Sequence, residues 1–275
     1  MSDMSGDILG LATLAGVTCV AAAVNSVAGG GTILTFPALV AILPPDPGRM
    51  VAANATSTIG LWPGALAAAW AYRSDRAGQP AWTRGLVIPS VAGAIVGAVL
   101  VLVLPPEWFR AAVPWLILMA AVLFTLQPWI ARMSDRLRQT GSPSPLPAHR
   151  NPASLPMLAS LLQFLVAVYG GYFGAGIGIL MLAVLGLVGV GDMHRLNAVK
   201  NVLGTVINGA AAGLFAVGSV VGGHDVSWPH AAVMAVAAVI GGLGGSHLAR
   251  RMPAAVVRRG VAIIAFVLAG YYFTT

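Results

Sequence analysis

The sequence predicts an all-α polytopic membrane protein made of two inverted-topology repeats, each a short broken or re-entrant helix pair followed by three spanning helices. Three observations carry that prediction. The 275 residues are 58% hydrophobic and only 8% charged, where soluble domains carry roughly 25% charge, so no water-soluble surface can be assembled from them. Ten apolar stretches alternate with short polar segments. Landmarks of the first half also return in the second at one constant offset.

In chain order the first five stretches are 8–28, 33–43, 50–72, 82–104 and 108–130. The MSDMSGD start carries Asp3 and Asp7 and no basic residue, whereas a cleaved signal needs a positive leader, so the first stretch is expected to be retained. A polar connector, 131–153, follows with Arg132, Arg136, Arg138 and Arg150 beside GSPSPLP, the composition of a solvent-exposed link between halves. Five more stretches run 154–172, 177–189, 196–219, 228–248 and 254–273. This divides the chain into a first transmembrane repeat at 1–130, a cytoplasmic linker at 131–153 and a second repeat at 154–275. Most stretches approach the roughly 20 residues that cross hydrocarbon, but the second of each half is too short to cross unaided.

The repeat is visible in the glycines. Gly29 and Gly174, Gly31 and Gly176, and Gly64 and Gly209 each lie 145 residues apart (174 − 29, 176 − 31, 209 − 64). If the N-terminus lies outside, Arg73, Arg76, Arg84, the connector arginines, Arg195, Arg250, Arg251, Arg258 and Arg259 fall on the cytoplasmic side, and only Arg49 and Arg110 face out. Basic residues favour the cytoplasmic face, so both termini are expected outside, in a bacterial cytoplasmic (inner) membrane. Each half then changes side an odd number of times, which inverts one half relative to the other. Inverted repeats with interrupted helices are a transporter architecture, with the site near the midplane where the broken elements meet.

Composition excludes several classes. The 34 glycines and 18 prolines sit inside apolar runs, as membrane helices tolerate. The formal charge of +7 comes from residues in short loops, which suits lipid headgroups and argues against nucleic acid. Cys19 is the only cysteine, so there is neither a disulfide framework nor a thiolate metal site. HExxH, GxSxG and Walker patterns are absent, and Gly174 to Gly178 matches part of a dinucleotide fingerprint with no strand before it. The expectation is a protein that is not an enzyme and holds no metal or cofactor.

Candidate binding groups fall in three places. Gly29, Gly30, Gly31 and Thr32 open the second stretch, as Gly174 and Gly176 open the seventh. Helix starts carry free N–H groups that bind anions, although small residues also serve close packing, the reading given to Gly93 with Gly97 and Gly241 with Gly245. Asn197, Asn201, Thr205 and Asn208 form a polar stripe at helical spacing, and Asn54, Thr56, Ser57 and Thr58 precede Trp62-Pro63-Gly64 in the equivalent stretch. Such groups either meet substrate or bond neighbouring helices. Pro63 should bend or loosen its helix. Lys200 is the one charge placed inside a span; an intramembrane cation attracts an anion, yet at about 7 Å from the helix end it could snorkel to the interface.

Acidic groups point the same way. Asp3, Asp7, Asp46, Asp75, Glu107, Asp135, Asp192 and Asp225 all fall in termini or loops by this segmentation, leaving no buried carboxylate to neutralise a cation. A small anionic substrate is the consistent choice. Proton coupling stays open and would have to use His230, His247, a tyrosine or the substrate itself. Homo-oligomerisation is open too.

The motifs VNSVAGGGTILTFPAL from Val24, ANATSTIGLWPGALAAAWAYR from Ala53, GYFGAGIGILMLAVLGL from Gly171 and HRLNAVKN from His194 together resemble the TauE/SafE sulfite exporter family, also called the sulfonate uptake permeases, over nearly the whole chain. That resemblance implies membrane transport of sulfite or organosulfonates, with direction differing among members. Many relatives carry a Thr-Asn-Lys run where this sequence has Asn54-Ala55-Thr56-Ser57, so the first-half cation is absent. Carried over by motif, the resemblance implies that Gly29 to Thr32, Asn54, Thr56, Gly174, Gly176, Asn197, Lys200 and Asn201 surround the substrate. The expected function is secondary transport of a small sulfur oxyanion by alternating access, outward or down its gradient. Transport of a carboxylate or phosphate, or a non-transporting sensor or scaffold role, are the alternatives.

Overall fold

A computed structural model of the chain describes residues 2–27, 29–73, 81–139, 157–187, 193–222, 226–248 and 254–274. Among them there is no strand: ten α-helices and one 3-10 turn, Ala81–Leu86, make up the regular structure. The first half holds α1 (Ser2–Val27), α2 (Thr32–Ile42), α3 (Arg49–Ala71), α4 (Val87–Val103) and α5 (Pro106–Gln139). The second holds α6 (Met157–Tyr172), α7 (Ile177–Leu187), α8 (Met193–Val221), α9 (Trp228–Leu248) and α10 (Ala254–Thr274). Among the described residues, six helices are long and apolar enough to cross a membrane. At 11 residues each, α2 and α7 rise only about 16 Å, roughly half of a 30 Å hydrocarbon core.

Prolines and glycines set the boundaries. Helix α2 stops before Pro44 and Pro45, with the Leu43 N–H returning to Leu39 O at 2.8 Å. Helix α4 stops before Pro105, and α5 opens on Pro106, where a missing N–H costs nothing. Helix α3 remains continuous through Pro63; neighbours in a membrane bundle re-satisfy the carbonyl that proline frees.

Two expectations are corrected. Asp3 and Asp7 lie inside α1, Glu107 in the first turn of α5, and Asp135 near its end, so these four are helical rather than in termini or loops. Polar residues extend a helix beyond its apolar span until a breaker arrives, and no proline or glycine stands between Trp129, where the span of α5 ends, and Gly141. For that reason α5 runs through Gln139, into the segment expected to be connector. Asp3 and Asp7 precede the apolar span of α1, which starts at Ile8, and Glu107 is exposed. Asp75, Asp192, Asp225 and 140–156 lie outside the described residues.

The helix contacts reproduce themselves when the two halves are exchanged. Helix α4 packs on α6 as α9 packs on α1, α3 meets α9 as α8 meets α4, and α2 lies on α3 as α7 lies on α8. Helices α5 and α10 pair with each other, as do α3 and α8. Glycines make the closest crossings. A Cβ on Gly97 would lie 2.7 Å from Tyr172 N, and one on Gly245 would lie 2.7 Å from Ala23 Cβ, so backbones touch where the GxxxG pairs were expected to pack. Gly97→Val is therefore expected to lower thermal stability in detergent by about 1–3 kcal/mol through overpacking. Gly244→Ala, where no atom lies within 4 Å, should leave it unchanged or slightly higher.

Large apolar side chains cover the outside. Trp108, Trp115 and Trp129 are each more than 60% exposed, a surface that only lipid satisfies. Inside, Phe36, Phe109, Phe124, Phe173 and Phe215 anchor one apolar cluster, and Ile177, Met181, Leu203 and Ile207 a second around α7 and α8.

Candidate functional site

The chain turns twice on glycines in the left-handed region. Gly29 has φ +71° and Gly174 and Gly176 have φ +80° and +76°, values that cost other residues roughly 1–2 kcal/mol. At the first turn the Gly29 N–H bonds Asn25 O at 3.0 Å, closing α1 as a left-handed glycine cap does. The Gly30 N–H then bonds the Asn25 side-chain oxygen at 3.0 Å. At the second, Phe173 and Gly174 both donate to Tyr169 O, and the Tyr169 hydroxyl donates to Ala175 O.

The two turns meet backbone to backbone. A Cβ on Gly29 would lie 2.5 Å from Gly178 Cα, and one on Gly30 would lie 3.3 Å from Gly176 N. Thr32 stands across the junction, its hydroxyl 3.8 Å from a Cβ built on Gly174. The heads of α2 and α7 are thus brought to one place, where the Ile33, Leu34 and Ile177 N–H groups bond the carbonyls of Gly30, Gly31 and Gly174 at 3.2, 3.0 and 3.4 Å.

Beside this junction lies a cavity of about 20 Å³. Asn25, Ser26 and Gly29 bound it from the first turn, Ile177, Gly178 and Met181 from the second, Ala65 and Ala68 from α3, and Lys200, Asn201, Gly204, Thr205 and Asn208 from α8. The α8 residues recur every three to four positions and so share one face. Lys200 is 2% exposed, and its Nζ donates to Ser26 O at 3.4 Å. It points inward to the end of α1, so the snorkelling geometry is not adopted. Asn201 Nδ2 is buried with no hydrogen-bond partner. Thr205 bonds Asn201 O at 2.7 Å and Ala65 O at 3.0 Å, while Trp62 Nε1 donates to Thr205 O at 3.1 Å. Those bonds tie α3 to α8 behind the cavity.

Of the residues singled out in the sequence, Gly29, Lys200, Asn201, Thr205 and Asn208 line the cavity. Gly30, Gly31 and Gly176 shape the turns beneath it: Gly30 and Gly176 lie against Phe124, and Gly31 lies on the Ala21 backbone. Asn54 sits away from the cavity, with its Nδ2 donating to Tyr172 O at 3.0 Å, and so supports the second turn. Thr56 accepts the Ser227 N–H at 3.0 Å, which binds α3 to the segment before α9. Asn197 has a buried oxygen without a partner but is not part of the cavity wall. The wall residues that sequence reasoning did not offer as binding groups are Asn25, Ser26, Ala65, Ala68, Ile177, Gly178, Met181 and Gly204. Asn25 had a signal, since it lies four residues before Gly29, one helical turn from the glycine whose N–H it receives.

The wall presents a lysine, a free amide donor and glycine backbone, and no carboxylate among the described residues lines it. No group of three or more His, Cys, Asp or Glu among the described residues could hold a metal ion. An environment that offers donors without acidic acceptors suits an oxyanion, because a low dielectric strengthens charge-assisted hydrogen bonds.

Comparison with known proteins covers almost the whole chain. The family model described as Sulfite exporter TauE/SafE matches residues 14–272. A Sinorhizobium protein named "Probable membrane transporter protein ORF9" is 27% identical over 254 residues, covering 91% of this chain and 87% of that protein. A Haemophilus influenzae "Probable membrane transporter protein" is 26% identical over 259 residues, covering 94% and 92%. No solved structure matches.

Proposed function

The chain belongs to the TauE/SafE sulfite exporter family of membrane transporters, and from that premise we propose that it carries a small sulfur oxyanion, sulfite or an organosulfonate, across the bacterial cytoplasmic membrane by alternating access. The observation that carries this reading is the cavity at the glycine junction, where Lys200 and the unpartnered Asn201 amide face a space that no carboxylate among the described residues lines. There the lysine and the amide replace the water that a desolvated anion loses.

A cavity of about 20 Å³ holds roughly one water, so admission of an oxyanion requires its walls to part. The walls come from both halves: α1 and α3 from the first, α7 and α8 from the second. Rocking of one half against the other would open the cavity first to one face and then to the other. The distribution of arginines supports both termini on the outer face.

The test is sulfite flux into proteoliposomes, with carboxylate and phosphate as competitors, together with thermal unfolding of the detergent-solubilised protein. A ligand at 100 times its Kd stabilises the folded form by about 2.7 kcal/mol, so sulfite should raise the unfolding temperature and carboxylate should not. Asn201→Ala removes a buried donor that has no partner. It should leave unliganded stability unchanged or slightly higher while weakening sulfite binding about tenfold. Uptake of carboxylate alone would overturn the sulfur assignment, and absence of both flux and stabilisation would overturn transport.

A further inference from the structure

A second cavity, of about 510 Å³, opens at the far end of α2. It is built from the C-terminal ends of α2 and α10 and the N-terminal ends of α3 and α5, and Arg49, Arg110, Glu107, Tyr271 and Tyr272 supply its polar and aromatic wall. We propose that this vestibule is a separate binding site for an organic monoanion bearing an oxyanion head. Its binding chemistry is independent of the junction cavity; only its use as a loading site rests on the transport reading above.

Charge and size define the ligand. Two guanidiniums against one carboxylate leave a net single positive charge, which suits a monoanion. Guanidiniums grip oxyanions through two parallel N–H bonds, and the tyrosine rings offer an apolar face with hydroxyl donors at the rim. A volume of 510 Å³ is far more than a bare inorganic oxyanion fills, leaving room for an organic substituent against the rings. Arg49 is half-buried and Arg110 exposed, so one guanidinium is held in the wall while the other stands at the opening.

The two cavities do not merge. Val40, in the vestibule wall, lies eight residues along α2 from Thr32 at the glycine junction, about 12 Å at helical rise. Midway sits Phe36, fully buried. Its ring centroid is 5.3 Å from Phe173, 6.4 Å from Phe109 and 6.1 Å from Tyr272. Tyr272 belongs to the vestibule and Phe173 directly precedes Gly174, so packed rings separate the two spaces.

Titration calorimetry of the full chain in detergent with benzenesulfonate tests the site. The wild-type protein should bind it, Arg110→Gln and Arg49→Gln should each weaken binding tenfold or more, and Asn201→Ala should leave it unchanged. Arg110 is exposed, so its variant is expected to keep the wild-type unfolding temperature and carries the test if Arg49→Gln fails to fold. No binding by the wild-type protein, or wild-type binding by both arginine variants, overturns the proposal. If Asn201→Ala leaves sulfite stabilisation intact while the arginine variants lose benzenesulfonate, the junction reading fails and the vestibule stands. The reverse pattern sinks the vestibule alone.

Discussion

Gly29→Ala is expected to lower the stability of the folded bundle by about 2–5 kcal/mol, from roughly 1–2 for a side chain at positive φ and roughly 1–3 for overpacking. Both effects act at once. Gly29 has φ +71°, and its added Cβ would sit 2.5 Å from Gly178 Cα and 2.9 Å from Gly178 N. Those are backbone atoms, so no side chain can rotate out of the way. The turn must therefore either unwind or back away from its partner, and each response separates the heads of α2 and α7. Against a typical total of 5–15 kcal/mol the loss is large. Thermal unfolding in detergent measures it, with Gly16→Ala in open space on α1 as the control expected to match or slightly exceed the parent. Sulfite-dependent stabilisation should vanish along with the junction. Should Gly29→Ala unfold within about 1 kcal/mol of the parent, the close approach of the two turns would be refuted.

Lys200→Met is expected to separate function from stability. The side chain keeps its length and most of its volume, so packing is conserved. Among what it loses are a charge 2% exposed, whose desolvation opposes folding, and a bond to Ser26 O at 3.4 Å, long for an N–H donor. Those changes oppose each other, so unliganded stability should move by less than about 1 kcal/mol. Anion affinity should fall at least tenfold, because a charge-assisted hydrogen bond contributes roughly 1.5–3 kcal/mol. A purely structural lysine gives the opposite pattern, with lower stability and unaltered sulfite stabilisation. Lys200→Arg should not rescue binding, since the longer planar fork has only about 20 Å³ of cavity to enter.

Much of the architecture was legible because membrane solvation makes strong local demands. Ten apolar stretches became ten helices because backbone groups in hydrocarbon must be satisfied within the segment. The glycine turns could be read as well: positive φ selects glycine, and its return after 145 residues (174 − 29) marked both positions. The site was only partly legible. Thr56 and Ser57 are neighbours on α3, yet Thr56 bonds Ser227 while Ser57 meets Thr35 of α2 at 2.6 Å. Neither direction follows from the pattern, because α3 is buried on several sides and lacks a polar face to orient it.

Sequence by itself determined the membrane class, the segment order and the glycine turns, since each depends on local composition and on the conformations single residues tolerate. Tertiary structure alone decided that Lys200 turns inward to Ser26, 174 residues away, that Asn25 and Thr205 join the cavity wall, and that the ends of four helices enclose a vestibule around Arg49 and Arg110. The physical reason is that lipid and protein core are equally apolar. Hydropathy therefore shows that a helix is buried but not which of its faces meets protein, and only the packing of one helix on another resolves that choice.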